Sequence, residues 1–386
     1  MKKKLTILFI IVGLLFSIIG FTVWYNLFDV TGLVLYNDEP IREIYFYYDR
    51  AYLITEDGKG YMSGGYASTN GRKYQNSEHR RSKILNYAST PVLFFDGCIE
   101  EVVIYETGIL FTSDNGDLYD FSSFDEGAKK IASSVETFSR FENYEYPDIF
   151  YIDKTGALNL LRDGKTTELL KNGVKKVYTY FERVFVLAEN NDVCELKITA
   201  DGFNIGEVLF SNVKDFNIQN TCNRFINGVF VDDDEEALKT PIMNVLTLDG
   251  ILYAKGAYSY HQYIHGNEKL EPKIFADWTV IGENVQEFSL ASMGTAMRYK
   301  DNSVGYIGFN TKVNVNDGAS FESKVLAVSN AKLVRVYTMG VYVKTTNGEH
   351  CVWGENNAFL RYNKNRDKRL NGLDVLRDNP EVFCVE

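Results

Sequence analysis

One short pattern recurs seven times along this 386-residue chain: an aliphatic residue, two mostly polar residues and then a large apolar residue. The copies open at Ile41, Ile99, Val135, Val174, Val213, Val285 and Ala331. In five copies a turn residue follows the large apolar residue after fourteen positions, at Gly58, Gly116, Asn191, Asn302 and Gly348. The third copy reaches its turn four residues late, at 155–156, and the fifth reaches 249–250 after an insertion of about twenty residues. An offset kept this often indicates one structural unit used seven times.

The copy at 331–354 shows what this unit is. Its side chains alternate on both sides of Asn347-Gly348, which predicts two strands joined by a two-residue hairpin turn. A further apolar run precedes most openings, for example at 92–95 and 325–328, so each unit holds about four strands. Glycine also recurs six residues after the turn position, at Gly64, Gly256, Gly308 and Gly354. Glycine in a strand predicts a close approach of two backbones or a sharp exit from the sheet.

Four short strands in each unit of about 48 residues are typical of a β-propeller. One four-stranded sheet leaves two faces to cover, and a ring of such sheets packs them against each other with few long free edges. An open β-solenoid and an irregular β-sandwich are the alternatives, but insertions confined to loops favour the ring. The aromatic content of 14% and the small number of prolines, 6, also favour strands. We therefore predict an all-β, seven-bladed β-propeller of four-stranded antiparallel blades.

Two segments compete for the strand that closes the ring. The run Leu33–Tyr36 matches the apolar run that precedes the other openings, so it is suited to pair with the last blade. The run 381–385 near the C-terminus is equally strand-like. The sequence leaves both alternatives open.

Residues 53–64, 246–256 and 343–356 share a strand that ends near a threonine, an Asp-Gly or Asn-Gly turn, and a following strand that ends in glycine. In these features the chain resembles the regulator-of-chromosome-condensation propeller family, over roughly residues 33–370. The resemblance implies seven blades. It also implies nucleotide exchange on a small GTPase at chromatin, but a formal net charge of -11 repels nucleic-acid phosphates. We therefore expect no nucleic-acid partner.

The N-terminus carries three lysines, Lys2–Lys4, followed by an unbroken apolar run from Leu5 to Trp24. About 20 apolar residues suffice to cross a bilayer as a helix, and the lysines predict a cytoplasmic N-terminus. A cleaved signal peptide is the competing interpretation, but Gly20–Trp24 offers a poor cleavage site. We predict a cytoplasmic basic tail at 1–4, a transmembrane signal-anchor helix at 5–25 and an extracytoplasmic propeller at 26–386. The predicted location is thus the cell membrane, with a single span.

The chain has five cysteines, Cys98, Cys194, Cys222, Cys351 and Cys384. They lie far apart and form no CxxC pair. An odd and sparse set argues against a disulfide framework and against a zinc site. Thiols within strand-like runs most often act as small buried hydrophobic groups, so no function is expected of them.

Local clusters of polar residues each have a simple interpretation. His261 and His265 stand four residues apart, but with no acid of an H-E-x-x-H motif and no evident third ligand they fit a solvated loop. The acidic run 232–236 lacks the spaced ligands of a calcium loop, and the basic stretch 76–86 fits a short polar helix between the first two blades. Tyrosines assigned to loops, such as Tyr258, are candidates for a ligand-binding rim. No catalytic, metal-binding or cofactor-binding residue is predicted, and partner-binding residues stay unassigned.

Seven regular hairpins without a reactive constellation predict a protein that is not an enzyme and needs no cofactor. We expect a membrane-tethered interaction or scaffold module with a protein partner, which contacts the insertions after the first unit and within the fifth. The alternative is a cell-surface protein that binds or processes cell-wall glycans, because propeller glycosidases draw their acids from different blades. Two facing carboxylates within about 10 Å of each other, flanked by aromatic side chains, would favour that alternative.

Overall fold

The computed structural model describes residues 39–354, with gaps, and residues 383–385. The gaps are 48–49, 65–90, 106–107, 123–125, 142–147, 181–182, 200–201, 220–223, 227–228, 232–240, 259–272, 292, 310–320 and 338–339. The predicted transmembrane segment, 5–25, lies outside the described residues. Among the residues that are described there is no helix long and apolar enough to span a membrane.

The described chain forms seven four-stranded antiparallel sheets, and each sheet is one blade. Blades 1 to 4 consist of Ile41–Tyr47, Arg50–Thr55, Gly60–Gly64 and Val92–Phe95 (β1–β4); Ile99–Tyr105, Gly108–Ser113, Leu118–Phe121 and Lys129–Ala132 (β5–β8); Val135–Phe141, Asp148–Asp153, Leu158–Arg162 and Lys165–Leu170 (β9–β12); and Val174–Tyr180, Arg183–Ala188, Val193–Thr199 and Gly202–Phe210 (β13–β16).

Blade 5 carries the insertion. It consists of Val213–Gln219 (β17), a small hairpin of Arg224–Ile226 (β18) and Val229–Val231 (β19), and then Ile242–Thr247 (β20), Leu252–Tyr258 (β21) and Lys273–Gly282 (β22). Blades 6 and 7 consist of Val285–Ala291, Gly294–Tyr299, Val304–Phe309 and Phe321–Leu326 (β23–β26), and of Ala331–Tyr337, Gly340–Thr345, His350–Gly354 and Phe383–Val385 (β27–β30). The first strand of every blade begins at the residue that opens one copy of the repeat. The predicted seven-bladed propeller is confirmed.

The hydrophobic core is divided among seven clusters, and each lies between two neighbouring blades. Between blades 1 and 2, the rings of Phe94 and Phe111 meet with centroids 5.7 Å apart. Between blades 7 and 1, Tyr337 and Tyr342 pack on Phe46 at 4.8 and 6.1 Å. Seven clusters for seven blades close the ring, because an open solenoid would leave one blade face at each end uncovered.

Every first strand carries a β-bulge near its second residue. In β17, Val213 pairs with Thr247 of β20 and Asp215 pairs with Leu246. Lys214 has no residue opposite it and is therefore the extra residue. Side chains of a regular strand alternate between its faces, which would put the first and fourth residues on opposite sides. The bulge restores their parity, and both Val213 and Phe216 are fully buried. The bulge therefore explains why the two apolar residues of the repeat stand three positions apart and yet share one face.

The second and third strands of each blade are joined by a turn that contains one left-handed residue. These residues are Gly58, Gly116, Gly156, Asn191, Gly250, Asn302 and Gly348, with φ between 63° and 90°. In blade 7, the Gly348 N–H donates to the Thr345 carbonyl oxygen (3.1 Å) and the Thr345 N–H donates to that of Glu349 (2.9 Å). The loop thus has three residues, 346–348, and the predicted two-residue turn is wrong. This loop requires φ > 0 only at its last position, which is why one glycine or asparagine suffices.

The connections differ between the two ends of the strands. At the end that we call the tight-turn face, second strands join third strands and each blade joins the next, and no connection exceeds four residues. At the opposite end, which we call the long-connection face, first strands join second strands and third strands join fourth strands. The five longest connections, 65–91, 220–241, 259–272, 310–320 and 355–382, are all of this second kind. The longest connections in the sequence therefore all join strand ends at one face of the ring.

The last strand completes blade 7. β30 pairs antiparallel with β29 as the fourth strand of that blade, so of the two candidates the C-terminal one is observed in the last blade; Leu33–Tyr36 lies outside the described residues. Blade 1 draws all four of its strands from 41–95. Blades 7 and 1 are joined by side chains, and the Lys344 ammonium donates to the Ile41 carbonyl oxygen at 2.8 Å.

One cysteine departs from the expectation. Cys351 in β29 is fully buried and disulfide-bonded, so the prediction that the cysteines form no bridge is wrong for this residue. Cys98 and Cys194 are free, and Cys194 is buried. Counting cysteines and their spacing fails here because a strand pairing between distant segments is not visible in local spacing.

Candidate functional site

First strands of neighbouring blades contact one another around the ring, as expected for the innermost strands of a propeller, and we assign their third and fifth residues to the lining of its centre. The third residues are Glu43, Glu101, Thr137, Lys176, Asp215, Glu287 and Leu333; the fifth are Tyr45, Val103, Ser139, Tyr178, Asn217, Ser289 and Arg335. We call this set the channel wall. Side chains of blades 1, 6 and 7 meet at Arg335, and those of blades 4 and 5 meet at Lys176 and Asp215. Members of the wall thus make polar contacts between blades.

The sequence contains a signal for this wall, although no local motif reveals it. Each blade contributes only one or two of its polar side chains, so neighbours in space lie about one repeat apart in the chain. When the seven copies are aligned on their openings, four of the seven third residues are acidic. A position-by-position alignment of the seven copies would therefore identify the third residue as a recurrent acidic position.

A guanidinium group joins three blades in this wall. Arg335 donates from Nε to the Glu43 carboxylate at 2.7 Å and from Nη1 to the Glu287 carboxylate at 2.8 Å. Arg298 adds a second contact to Glu287 at 3.1 Å. Burial lowers the pKa of Arg335, but Glu43, Tyr45 and Glu287 raise it by more, so the group stays charged. The cluster is thus a largely neutralised ion network that ties blade 1 to blades 6 and 7.

On the other side of the channel, Lys176 of blade 4 and Asp215 of blade 5 form an ion pair of 2.8 Å. Asp215 also accepts a hydrogen bond from the Phe216 N–H at 2.9 Å. Burial raises the pKa of Tyr178 well above its usual range, and the negative charges of Asp215 and Glu101 add to this effect. Tyr178 therefore remains a neutral hydroxyl in the channel.

Glu101 differs from the other channel acids. Its carboxylate accepts a hydrogen bond from the Thr137 hydroxyl at 3.0 Å, and within the described part of the chain it forms no ion pair of 4 Å or less. Burial raises the pKa of Glu101 to about 7, against the opposing effects of Thr137 and Lys176. This carboxyl group therefore changes its charge near neutral pH.

Glu101 gives a prediction about pH. Its native pKa lies above its usual 4.5, so its contribution to stability is present below pH 4.5 and is lost as the pH rises through about 7. We expect Glu101→Gln to be more stable than the wild type at pH 8, by on the order of 2 kcal/mol, and the gain to shrink at pH 5. Urea unfolding at both pH values measures this. Glu195→Gln is the control, because Arg183 lowers the pKa of Glu195 and removing that charge should bring no gain at pH 8; equal behaviour of the two variants would refute the assignment.

The wall also contains a polar atom that lacks a partner. The Asn217 side-chain oxygen is buried and accepts no hydrogen bond from any described residue. A buried amide oxygen without a partner carries a cost of about 1–3 kcal/mol, and a water molecule in the channel would remove it. Asn217 thus marks the point of the wall best suited to hold a polar donor.

The carboxylates do not form a glycosidase pair at Arg335. Glu43 and Glu287 bond the same guanidinium, so they satisfy the roughly 10 Å separation, and the aromatic Tyr45 is beside them. However, Arg335 occupies the space between the two acids, where the sugar and the attacking water would have to lie. Separation alone is therefore a misleading criterion at this position.

Most of the local clusters singled out in the sequence lie outside the described residues. These are His261 and His265, the acidic run 232–236 and the basic stretch 76–86. Tyr258 is described, and its prediction as part of a rim is wrong: it is fully buried at the end of β21, with its hydroxyl 2.6 Å from that of Thr295. Within the described ranges no group of three His, Cys, Asp or Glu residues is placed to hold a metal ion.

No family model matches this sequence, and no curated protein matches it. Among solved structures, human WBSCR16 is 13% identical, with a TM-score of 0.44 over 91% of this chain and 84% of that chain. Yeast RCC1 (Prp20), solved with Kap60, is 12% identical, with a TM-score of 0.39 over 93% of this chain and 76% of that chain. The β-propeller domain of Myceliophteria thermophila Cps50 (Swd1) is 6% identical, with a TM-score of 0.49 over 84% of this chain and all of that chain. All three scores are below 0.5, so these likenesses say nothing about what this chain binds.

Proposed function

We propose that this chain is a membrane-tethered, extracytoplasmic β-propeller that acts as a non-catalytic protein-interaction module, with the long-connection face as its binding surface. The observation that carries the proposal is that the five longest connections all join strand ends at one face of the ring. Loops held by a rigid scaffold are the usual site of binding residues. The tight-turn face, with connections of at most four residues, offers no comparable variation.

The long connections are not needed to pair the strands that they join. β17 and β20 pair from Val213↔Thr247 to Gln219↔Ile242, although residues 220–241 separate them in the chain. β25 and β26 likewise pair up to Phe309↔Phe321 across 310–320. Because the ladders close beneath them, these connections are free to carry residues chosen for a partner rather than for folding.

The channel wall supports the non-catalytic part of the proposal. Glu43 and Glu287 are bonded to Arg335, and Asp215 is bonded to Lys176. Acids paired in this way join neighbouring blades, and a carboxylate that bonds a permanent cation is a poor proton donor. We assign these residues a role in holding the ring together.

The tether and the location are supported by the sequence. Three lysines precede the apolar run from Leu5 to Trp24, which has the length of a membrane span and the charge asymmetry of a cytoplasmic N-terminus. The body would then present its loops to partners outside the cytoplasm.

The test is affinity capture with the tagged full-length chain, extracted from native membranes in mild detergent and read by mass spectrometry. We expect a stoichiometric protein partner that is lost when residues Asp232 to Leu238 are deleted, while the thermal unfolding of the deletion variant stays close to that of the wild type. Glu283→Lys is the control, because Glu283 is exposed at the tight-turn face and should leave capture unchanged.

Three outcomes would count against the proposal. Unfolding of the deletion variant would show that the insertion is structural. Loss of capture with Glu283→Lys alone would place the contact at the tight-turn face. A repeated absence of protein under cross-linking, together with retention of the chain on purified cell-wall polysaccharide, would favour the glycan alternative.

A further inference from the structure

The fourth strand of blade 7 is short in the described part of the chain. There β30 has three residues, which pair as His350↔Val385, Cys351↔Cys384 and Val352↔Phe383, whereas the fourth strands of the other blades have four to ten residues. It is joined to β29 through the long connection 355–382. A short strand after so long a connection is weakly attached, since the ordering entropy of the connection must be overcome.

A disulfide between Cys351 and the C-terminal strand would strengthen this weak attachment. Of the five cysteines, Cys98 and Cys194 are free, which leaves Cys222 and Cys384 as partners for Cys351. The register places Cys384 directly opposite Cys351. Opposed Cα atoms in an antiparallel pair lie about 4.5–5.5 Å apart, within the range of 4.4–6.8 Å that a disulfide requires.

Cys222 lies outside the described residues, and the strand that precedes it, β17, pairs with β20 in blade 5. Cys351 is the second residue of β29 in blade 7 and is buried in the cluster between blades 6 and 7. Cys384 is therefore the candidate partner that the sheet register supplies.

We propose that Cys351 and Cys384 form a disulfide that fastens the C-terminal strand to blade 7, and that the attachment of this strand depends on the redox state of the pair. The two thiols lose two protons and two electrons to a disulfide oxidant, which is reduced to two thiols, and one S–S bond forms. Such a bond persists in an oxidising compartment and is lost in the cytosol. The proposal rests on strand pairing and does not depend on any binding partner.

The first measurement is peptide mapping of the full-length chain, purified without reductant and with free thiols blocked. We expect a linked pair of peptides that contain Cys351 and Cys384, and blocked thiols at Cys98 and Cys194. A link from Cys351 to Cys222 would overturn the pairing, and free thiols at both Cys351 and Cys384 would overturn the bond itself.

The second measurement tests what the bond does. Cys384→Ser should lower the unfolding temperature by about 5 °C or more, and a reductant should lower that of the wild type by a similar amount without affecting the variant further. Cys98→Ser is the matched control and should respond to the reductant as the wild type does. Equal unfolding temperatures for wild type and Cys384→Ser, with and without reductant, would show that the ring does not depend on the bond.

A third measurement does not require a variant. Trypsin cleavage within 355–382, which contains several lysines and arginines, should leave the C-terminal peptide attached on a non-reducing gel and release it when reductant is added. Release without reductant would contradict the proposed bond.

Discussion

Replacing Arg335 with leucine should destabilise the protein by about 3 kcal/mol, as measured by urea unfolding at pH 7. The change leaves the Glu43 and Glu287 carboxylates without the cation that bonds them both. The Glu43 side chain is only 10% exposed, so water cannot replace the lost contacts. The expected loss in the free energy of unfolding is that of leaving the Glu43 carboxylate partly buried and unpaired. Water reaches this group too poorly to compensate for the lost attraction to Arg335.

Two further variants separate this cause from a general loss of packing. Glu287 keeps its contact with Arg298 at 3.1 Å, so Glu43 is the charge left unpaired. Arg335→Leu combined with Glu43→Gln removes this charge together with the cation, and should recover most of the stability. Arg183→Leu breaks the Arg183–Glu195 pair of 2.6 Å, but its arginine side chain is 43% exposed, so it should cost less than about 1 kcal/mol. If the double variant were no more stable than Arg335→Leu, packing and not charge would explain the loss.

Replacing Gly256 with alanine should have the largest effect of any single methyl group added to the described chain. A Cβ at this position would lie 1.7 Å from the Pro241 carbonyl oxygen, and the residue has φ of +106°. Gly256 lies in β21 and Pro241 directly precedes β20, so the two backbones cannot move apart without disturbing the β20–β21 ladder. We expect a loss of at least about 4 kcal/mol, or failure to accumulate in soluble form.

Gly156→Ala provides the matched comparison. Gly156 also has a left-handed backbone, with φ of +84°, but no atom lies within 4 Å of the place where its Cβ would be. That variant reports conformational strain alone, about 1–2 kcal/mol. The unfolding temperature of Gly156→Ala should be well above that of Gly256→Ala. Similar unfolding temperatures for the two variants would mean that the close contact with Pro241 is relieved at little cost.

The glycines illustrate what the sequence can predict. Gly256 and Gly308 were expected at close backbone approaches, and a Cβ at Gly308 would lie 2.5 Å from the Met293 carbonyl oxygen. The prediction succeeded because glycine at a fixed place in a repeat has few other physical reasons to be there. The seven blades were predictable for the same reason, since a unit repeated seven times shows its turns and openings seven times.

Other features were hidden because they depend on contacts between distant segments. The bulge at Lys214 leaves only an unusual spacing, which is ambiguous until the partner strand is known. The turn at Asn347-Gly348 was assigned two residues because that pair favours both a two-residue and a three-residue loop, and strand pairing decides between them. Arg335 and Glu43 are separated by 292 positions in the chain, so no local pattern connects them.

The choice between the two candidate terminal strands stayed open, and the disulfide was missed, for one common reason. Segment 381–385 and Leu33–Tyr36 have similar strand propensity, and only pairing with β29 distinguishes them. The same pairing brings Cys384 opposite Cys351. Because pairing across a ring is a long-range property, the spacing of cysteines carried no information about it.

The point at which the chain enters the ring determines which face of the propeller lies next to the preceding residues. Pro40, just before β1, accepts a hydrogen bond of 2.8 Å from the Glu56 N–H in the first tight turn, so whatever precedes residue 39 attaches at the tight-turn face. A seven-residue strand such as β1 is about 20 Å long, and the long connections begin at its far end. A ring suspended from its N-terminus would thus hold its five long connections on the distal side, at a standoff of one strand length, and would turn its short, uniform turns toward the surface that carries it.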